Sequence, residues 1–117
     1  MFLQLSHQKL DIYKISRAFV KSCYKASNAF PAEEKFNMIS QVRRAALSVH
    51  LSIAEGASRK SEIERKRFYE IARGSAIEID AALDVAEDMG YCIKENMQEL
   101  GENMIRCFSM LSKLINK

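Results

Sequence analysis

Between Ile39 and Gly56 the chain carries apolar residues on two separate strips of one helix, and that doubling constrains the fold more than any other stretch. Ile39, Val42, Ala46, Val49, Ile53 and Gly56 are spaced by alternating threes and fours, the seam of a helix packed in a bundle. Leu47, Leu51 and Ala54 make a second strip. A narrow polar line of Gln41, Arg44, Ser48, Ser52, Glu55 and Arg59 runs between the two. One neighbouring helix covers one strip. The second needs another layer, supplied within the bundle or by another copy of the chain.

Little interrupts the remaining sequence. One proline and four glycines in 117 residues, with no alternating Val/Thr runs, predict long helices. The length suits one domain over residues 1–117, and 48% hydrophobic residues suffice for a core. Residues 1–6 read as a frayed lead-in. A first helix is expected from about His7 to Ser27, with Ile12, Phe19 and Cys23 along its seam. Asn28-Ala29-Phe30-Pro31 breaks it, and Pro31 opens a second helix expected from about Ala32 to Gly56. Ser61-Glu62-Ile63-Glu64 has the spacing of a capping box and starts a third helix, which ends near Met89, before Gly90. Its expected core face is Phe68, Ile71, Ser75, Ile79, Ala82, Ala86 and Met89. Gly74 interrupts that helix, and close approach of a neighbouring backbone is the expected reason. A fourth helix from about Lys94 to Ile115 repeats Ile93, Met97, Leu100, Met104, Cys107, Leu111 and Leu114 without a break. Short links make sequential helices antiparallel. The predicted fold is all-α, an antiparallel up-down-up-down four-helix bundle.

The net charge is a mild +3, unevenly placed. Residues 1–60 are basic on balance and residues 61–117 acidic. Lys14, Arg17, Lys21 and Lys25 fall at helical spacing with no acid among them. Arg59, Lys60, Arg65, Lys66 and Arg67 surround the turn between the second and third helices. Either group is an ordinary solvated surface or, read more sharply, a set of phosphate contacts. No aromatic platform for base stacking accompanies them, so such contacts would read shape and backbone rather than bases.

The residues offer little chemistry. Cys23, Cys92 and Cys107 are odd in number and far apart, which argues against disulfides or zinc and for a reducing, cytoplasmic setting. No signal peptide or membrane span is read. His7 and His50 are the only histidines, and no Glu-x-x-His pair supports a di-metal bundle. His50 reads as a packed, hydrogen-bonded residue. No glycine-rich phosphate loop is present, and neither metal nor other cofactor is expected. Glu55 and Glu78 are the carboxylates to weigh as acid or base, but no nucleophile accompanies them. Structural pairing is preferred: Glu55 with Arg59 one turn on, and Glu78 with Arg43 or Arg44 of a neighbouring helix. No catalytic residue is assigned.

Phe36, Gln41-x-Arg43-Arg44-Ala45-Ala46-x-Ser48-Val49 and Ile53-Ala54-Glu55-Gly56, followed by Phe68-x-x-Ile71-Ala72-x-Gly74-Ser75-x-x-Glu78 and Gly90-Tyr91, carry a resemblance. The chain resembles the bacterial four-helix-bundle proteins encoded in intervening sequences of 23S ribosomal RNA genes, over about Lys9 to Ile115. The resemblance extends in fold to accessory proteins of diversity-generating retroelements. It implies a subunit of a homopentamer without known catalytic activity. The accessory relatives bind RNA and a reverse transcriptase, and some members carry a ribosomal-protein label. One departure matters. The family usually reads Ser-Ile-Pro-x-Asn-Ile-Ala-Glu-Gly where this chain has Ser48-Val49-His50-Leu51-Ser52-Ile53. Without that proline a straighter second helix is expected.

Two functions remain open on this reading. The first is a non-enzymatic homo-oligomer that binds structured RNA or an RNA–protein complex. Its carriers would be Arg43, Arg44, the cluster from Arg59 to Arg67, and the stripe from Lys14 to Lys25. Gln41, Ser48, Glu55, Gly56, Gly74 and Glu78 would shape or line its interfaces. The second is a protein-interaction scaffold whose basic residues serve solubility.

Overall fold

Four helices, and no strand, make up the computed structural model, which describes residues 1–117. They are α1 (Asp11–Ser27), α2 (Met38–Ala57), α3 (Glu62–Asp88) and α4 (Lys94–Ile115). Short 3₁₀ turns, Ser6–Lys9 and Ala32–Glu34, precede α1 and α2. Both helices therefore start later than the sequence suggests. Pro31 opens only the turn. The Glu34 carboxylate then accepts the Asn37 side-chain amide at 3.0 Å and the Met38 N–H at 3.4 Å, which redirects the chain into α2. At the start of α3, Ser61 Oγ accepts the Glu64 N–H at 3.3 Å, the N-cap half of the expected box. Its end is closed by Gly90 at φ +76°, with Tyr91 N–H donating to Ala86 C=O and Gly90 N–H to Glu87 C=O. Those two bonds are a Schellman motif, which needs a left-handed residue where glycine stands.

Helices adjacent in sequence pack on one another, α4 also closes on α1, and the diagonal backbones stay farther apart. Bridging side chains fix the directions. Ser16 meets His50 and Ser27 meets Arg43 between α1 and α2; Ser48 meets Ser75 between α2 and α3. Arg73 meets Ser112 between α3 and α4, and Ser22 meets Asn103 between α1 and α4. Between α1 and α2 the rising number meets the falling one, and Lys25 with Glu99 beside Ser22 with Asn103 shows the same for α1 and α4. Gly56 against Phe68, with Ser48 against Ser75, sets α3 against α2, so α3 runs with α1 and the bundle is antiparallel throughout. α2 and α3 pack most extensively and α3 and α4 least.

Phe19, Val49, Ile53, Ile79, Leu100 and Leu111 are fully buried at the centre. The expected seams of α2 and α4 are the buried ones, apart from exposed Ile93. The α3 face is different. Its buried residues are Tyr69, Ala72, Ala76, Ile79, Leu83 and Ala86, while Ile71 and Met89 are exposed. The helix is turned so that Tyr69, Ala72 and Ala76 face inward, and Phe68, Tyr69 and Ser75 lie against α2. The close approach falls at Gly56 rather than Gly74. A Cβ on Gly56 would stand 2.8 Å from Phe68 Cβ and 3.2 Å from the Arg65 carbonyl, whereas one on Gly74 would meet nothing within 4 Å. α2 runs unbroken through His50, whose Nδ1 lies 2.8 Å from Ser16 Oγ and whose ring packs 4.6 Å from that of Tyr13. No helix is long and apolar enough to cross a membrane.

Candidate functional site

The outer face of the α2/α3 pair collects the motif residues. Because Val42, Val49 and Ile53 hold α2 against the core, the residues about a third of a turn round must emerge beside α3. Gln41, Arg44, Ser48, Ser75 and Glu78 line one polar recess there, with Ala45 at its side. Ser75 Oγ donates to Ser48 Oγ at 3.0 Å across the seam, and Arg44 donates to Gln41 Oε1 at 2.8 Å. Around the recess the second strip of α2 is open to water. Leu51 is 58% exposed, Leu47 is exposed one turn before it, and Ile71 is exposed on α3. Glu55 pairs with Arg59 at 2.8 Å as its spacing suggests, and the Arg59 guanidinium also lies over the Phe68 ring.

The pairing expected at Glu78 is absent. Arg44 turns to Gln41, and Arg43 faces α1 instead. Its Nε donates to Ser27 Oγ at 2.9 Å and its Nη2 to Asn28 Oδ1 at 2.7 Å, with the guanidinium 4.9 Å over the Tyr24 ring. That satisfies the C-terminal end of α1, where a cation suits the helix dipole. Arg43 is thereby committed within the bundle.

The remaining cations divide into occupied and free. Lys25 pairs with Glu99 at 3.6 Å and Lys66 with Glu62 at 3.4 Å. Arg65 donates to the Arg59 and Lys60 carbonyls and so closes the α2–α3 turn. Lys14, Arg17, Lys21, Lys60 and Arg67 have no carboxylate within ion-pair distance. Antiparallel packing rearranges their grouping. The start of α1, the α2–α3 turn and the end of α4 share one end of the bundle. Asp84, Glu87, Asp88 and Glu95 lie at the other. The charge imbalance between chain halves thus becomes a polarity along the bundle axis.

Few groups titrate abnormally. Burial, with Arg17 and His7 nearby, pulls His50 below its ordinary value. Burial pushes the Cys23 and Cys107 thiols up to about 12, far from the thiolate a nucleophile needs. No three His, Cys, Asp or Glu side chains converge as a metal site requires.

The pattern of the 23S rRNA-intervening sequence protein family matches residues 8–113. The chain belongs to that family. No match emerges among curated proteins. The family match spans all four helices and every residue of the α2/α3 recess. Ser75, which sequence reasoning placed on the core face, belongs instead to this recess. Its signal was present in the motif, since Ser75 and Glu78 are three apart and share a helix face. The capping work of Arg43 had no signal in sequence. It depends on where α1 ends relative to α2.

Proposed function

We propose that this family member is a non-enzymatic helical subunit that assembles with copies of itself, as a homopentamer, and binds structured RNA through phosphate contacts. The observation that carries the RNA reading is the set of unpaired cations, Lys14, Arg17, Lys21, Lys60 and Arg67, four of them towards the basic end. An internal partner would have occupied such groups. Without one they can neutralise phosphates and release counterions. Multiplying them over identical subunits raises avidity without a tight single site. The family's name ties it to ribosomal RNA genes, which supports an RNA-related role. The open strip of Leu47, Leu51 and Ile71 supports the self-contact, because exposed apolar patches mark interaction surfaces.

A filter-binding titration of a structured 23S rRNA fragment at several salt concentrations tests the reading. Affinity should fall steeply with salt, and Lys60→Glu with Arg67→Glu should flatten the slope by about two phosphate contacts. A flat slope in the unaltered protein counts against phosphate contact. The exposed leucines also favour a second reading, a scaffold for a protein such as a reverse transcriptase. Recovery of a protein partner after nuclease treatment, with no RNA retained, would favour it.

A further inference from the structure

The loosest contact in the bundle, α3 against α4, leaves a groove that neither the α2/α3 recess nor the basic end uses. Its floor at one end is Ala76, Ile77, Met104, Ile105 and Phe108, with Ile105 71% and Ile77 53% exposed. It continues past Met104 to Leu100, Gly101 and Met97. From Met97 to Phe108 that is about 16 Å, or three helical turns. A Cβ on Gly101 would meet nothing within 4 Å, so the groove is open over the helix backbone there. One wall is acidic. Asp80, Asp84 and Glu87 line the groove from α3 at steps of four and three. None has a cation within 4 Å.

We infer that this groove docks an amphipathic, cationic helix of a partner protein. The walls are side chains of two helices and offer no open backbone edge, so an added strand has nothing to pair with. A helix with apolar residues on one stripe can seat them on Ile77, Ile105 and Phe108 and pass close over Gly101. Lysines or arginines beside that stripe then meet the three carboxylates. The same carboxylates repel RNA, which separates this surface from the proposed RNA contacts. Of the chain's own exposed apolar elements, residues 1–5 carry Met1, Phe2, Leu3 and Leu5 but no lysine or arginine to meet the carboxylates. The exposed face of α1 carries lysines without large apolar residues, and the apolar strip of α2 belongs to the proposed self-contact.

The test is fluorescence anisotropy with the full chain and a labelled synthetic peptide of about 15 residues, long enough to cover the groove at 1.5 Å per residue. The peptide carries leucines at helical spacing flanked by lysines. A second peptide keeps the leucines and replaces the lysines with glutamates. The cationic peptide should bind saturably, and the acidic one about tenfold more weakly or worse. Ile105→Glu should cost about tenfold and Asp84→Lys several-fold. Both positions are exposed, so circular dichroism of both variants should match the original. Amide NMR shifts on titration should fall on α3 and α4. Four results would overturn the proposal: neither peptide binding, both binding equally, variants binding as the original does, or Ile105→Glu lowering the mass of the unliganded assembly. The last would assign the groove to a second copy of the chain.

Discussion

Two glycines in neighbouring helices make opposite contributions. Gly56 lets the end of α2 lie against Phe68 and Tyr69, and its absent Cβ would stand within 2.8 Å of Phe68 Cβ. Gly56→Ala is expected to destabilise the fold by about 1–3 kcal/mol in urea unfolding, through forced displacement of α3. Gly74 faces open space inside a helix, so Gly74→Ala should raise stability by about 0.5–1 kcal/mol. Arg43 offers a third case. Arg43→Ala removes bonds to Ser27 and Asn28 and should cost about 1–2 kcal/mol in urea unfolding. His50 links structure to pH. Unfolded, it takes up a proton near 6.5; folded, burial delays that uptake to lower pH. The unfolded state therefore binds more protons in the window below 6.5, and stability should fall as pH drops through it. His50→Gln should lessen the loss of Tm between pH 7 and pH 5, after correction for its cost at neutral pH.

Helices α2 and α4 were legible because large apolar residues define their seams. α3 was not. On it Ala72 and Ala76 face the core while Ile71 and Met89 face out, so the rule that bulky residues go inward selects a face turned by about 70°, with Ile79 and Ala86 common to both. The reason lies across the interface. Ala45, Ala46 and Gly56 on α2 are buried and small, and Gly56 admits Phe68 and Tyr69 of α3 against its backbone, so the facing of α3 follows the space α2 leaves and Ile71 and Met89 fall on the flanks. Those flanks carry the α2/α3 recess. The sequence thus disclosed its motif residues before it disclosed what they surround. Leu51→Glu tests the element directly. A charge at so exposed a site should change the stability of a lone subunit by less than about 0.5 kcal/mol, yet light scattering should report a smaller particle if copies meet there.

At the scale of the molecule, helix direction decides what the charges do. Net charge alone suggested a weakly basic protein. Alternating helices sort it into a positive end and a negative end, a property no single segment possesses. The paired thiols of the core lead elsewhere. Cys23 and Cys107 are wholly buried, with acidity suppressed to about 12, while Cys92 is half-buried in the α3–α4 link. An alkylating reagent can reach the first two only when the bundle opens, because the attacking species is the thiolate. Mass spectrometry after timed labelling should therefore show Cys92 modified early and the other two later and together. The protein carries its own stopwatch for breathing, with the reference channel built in.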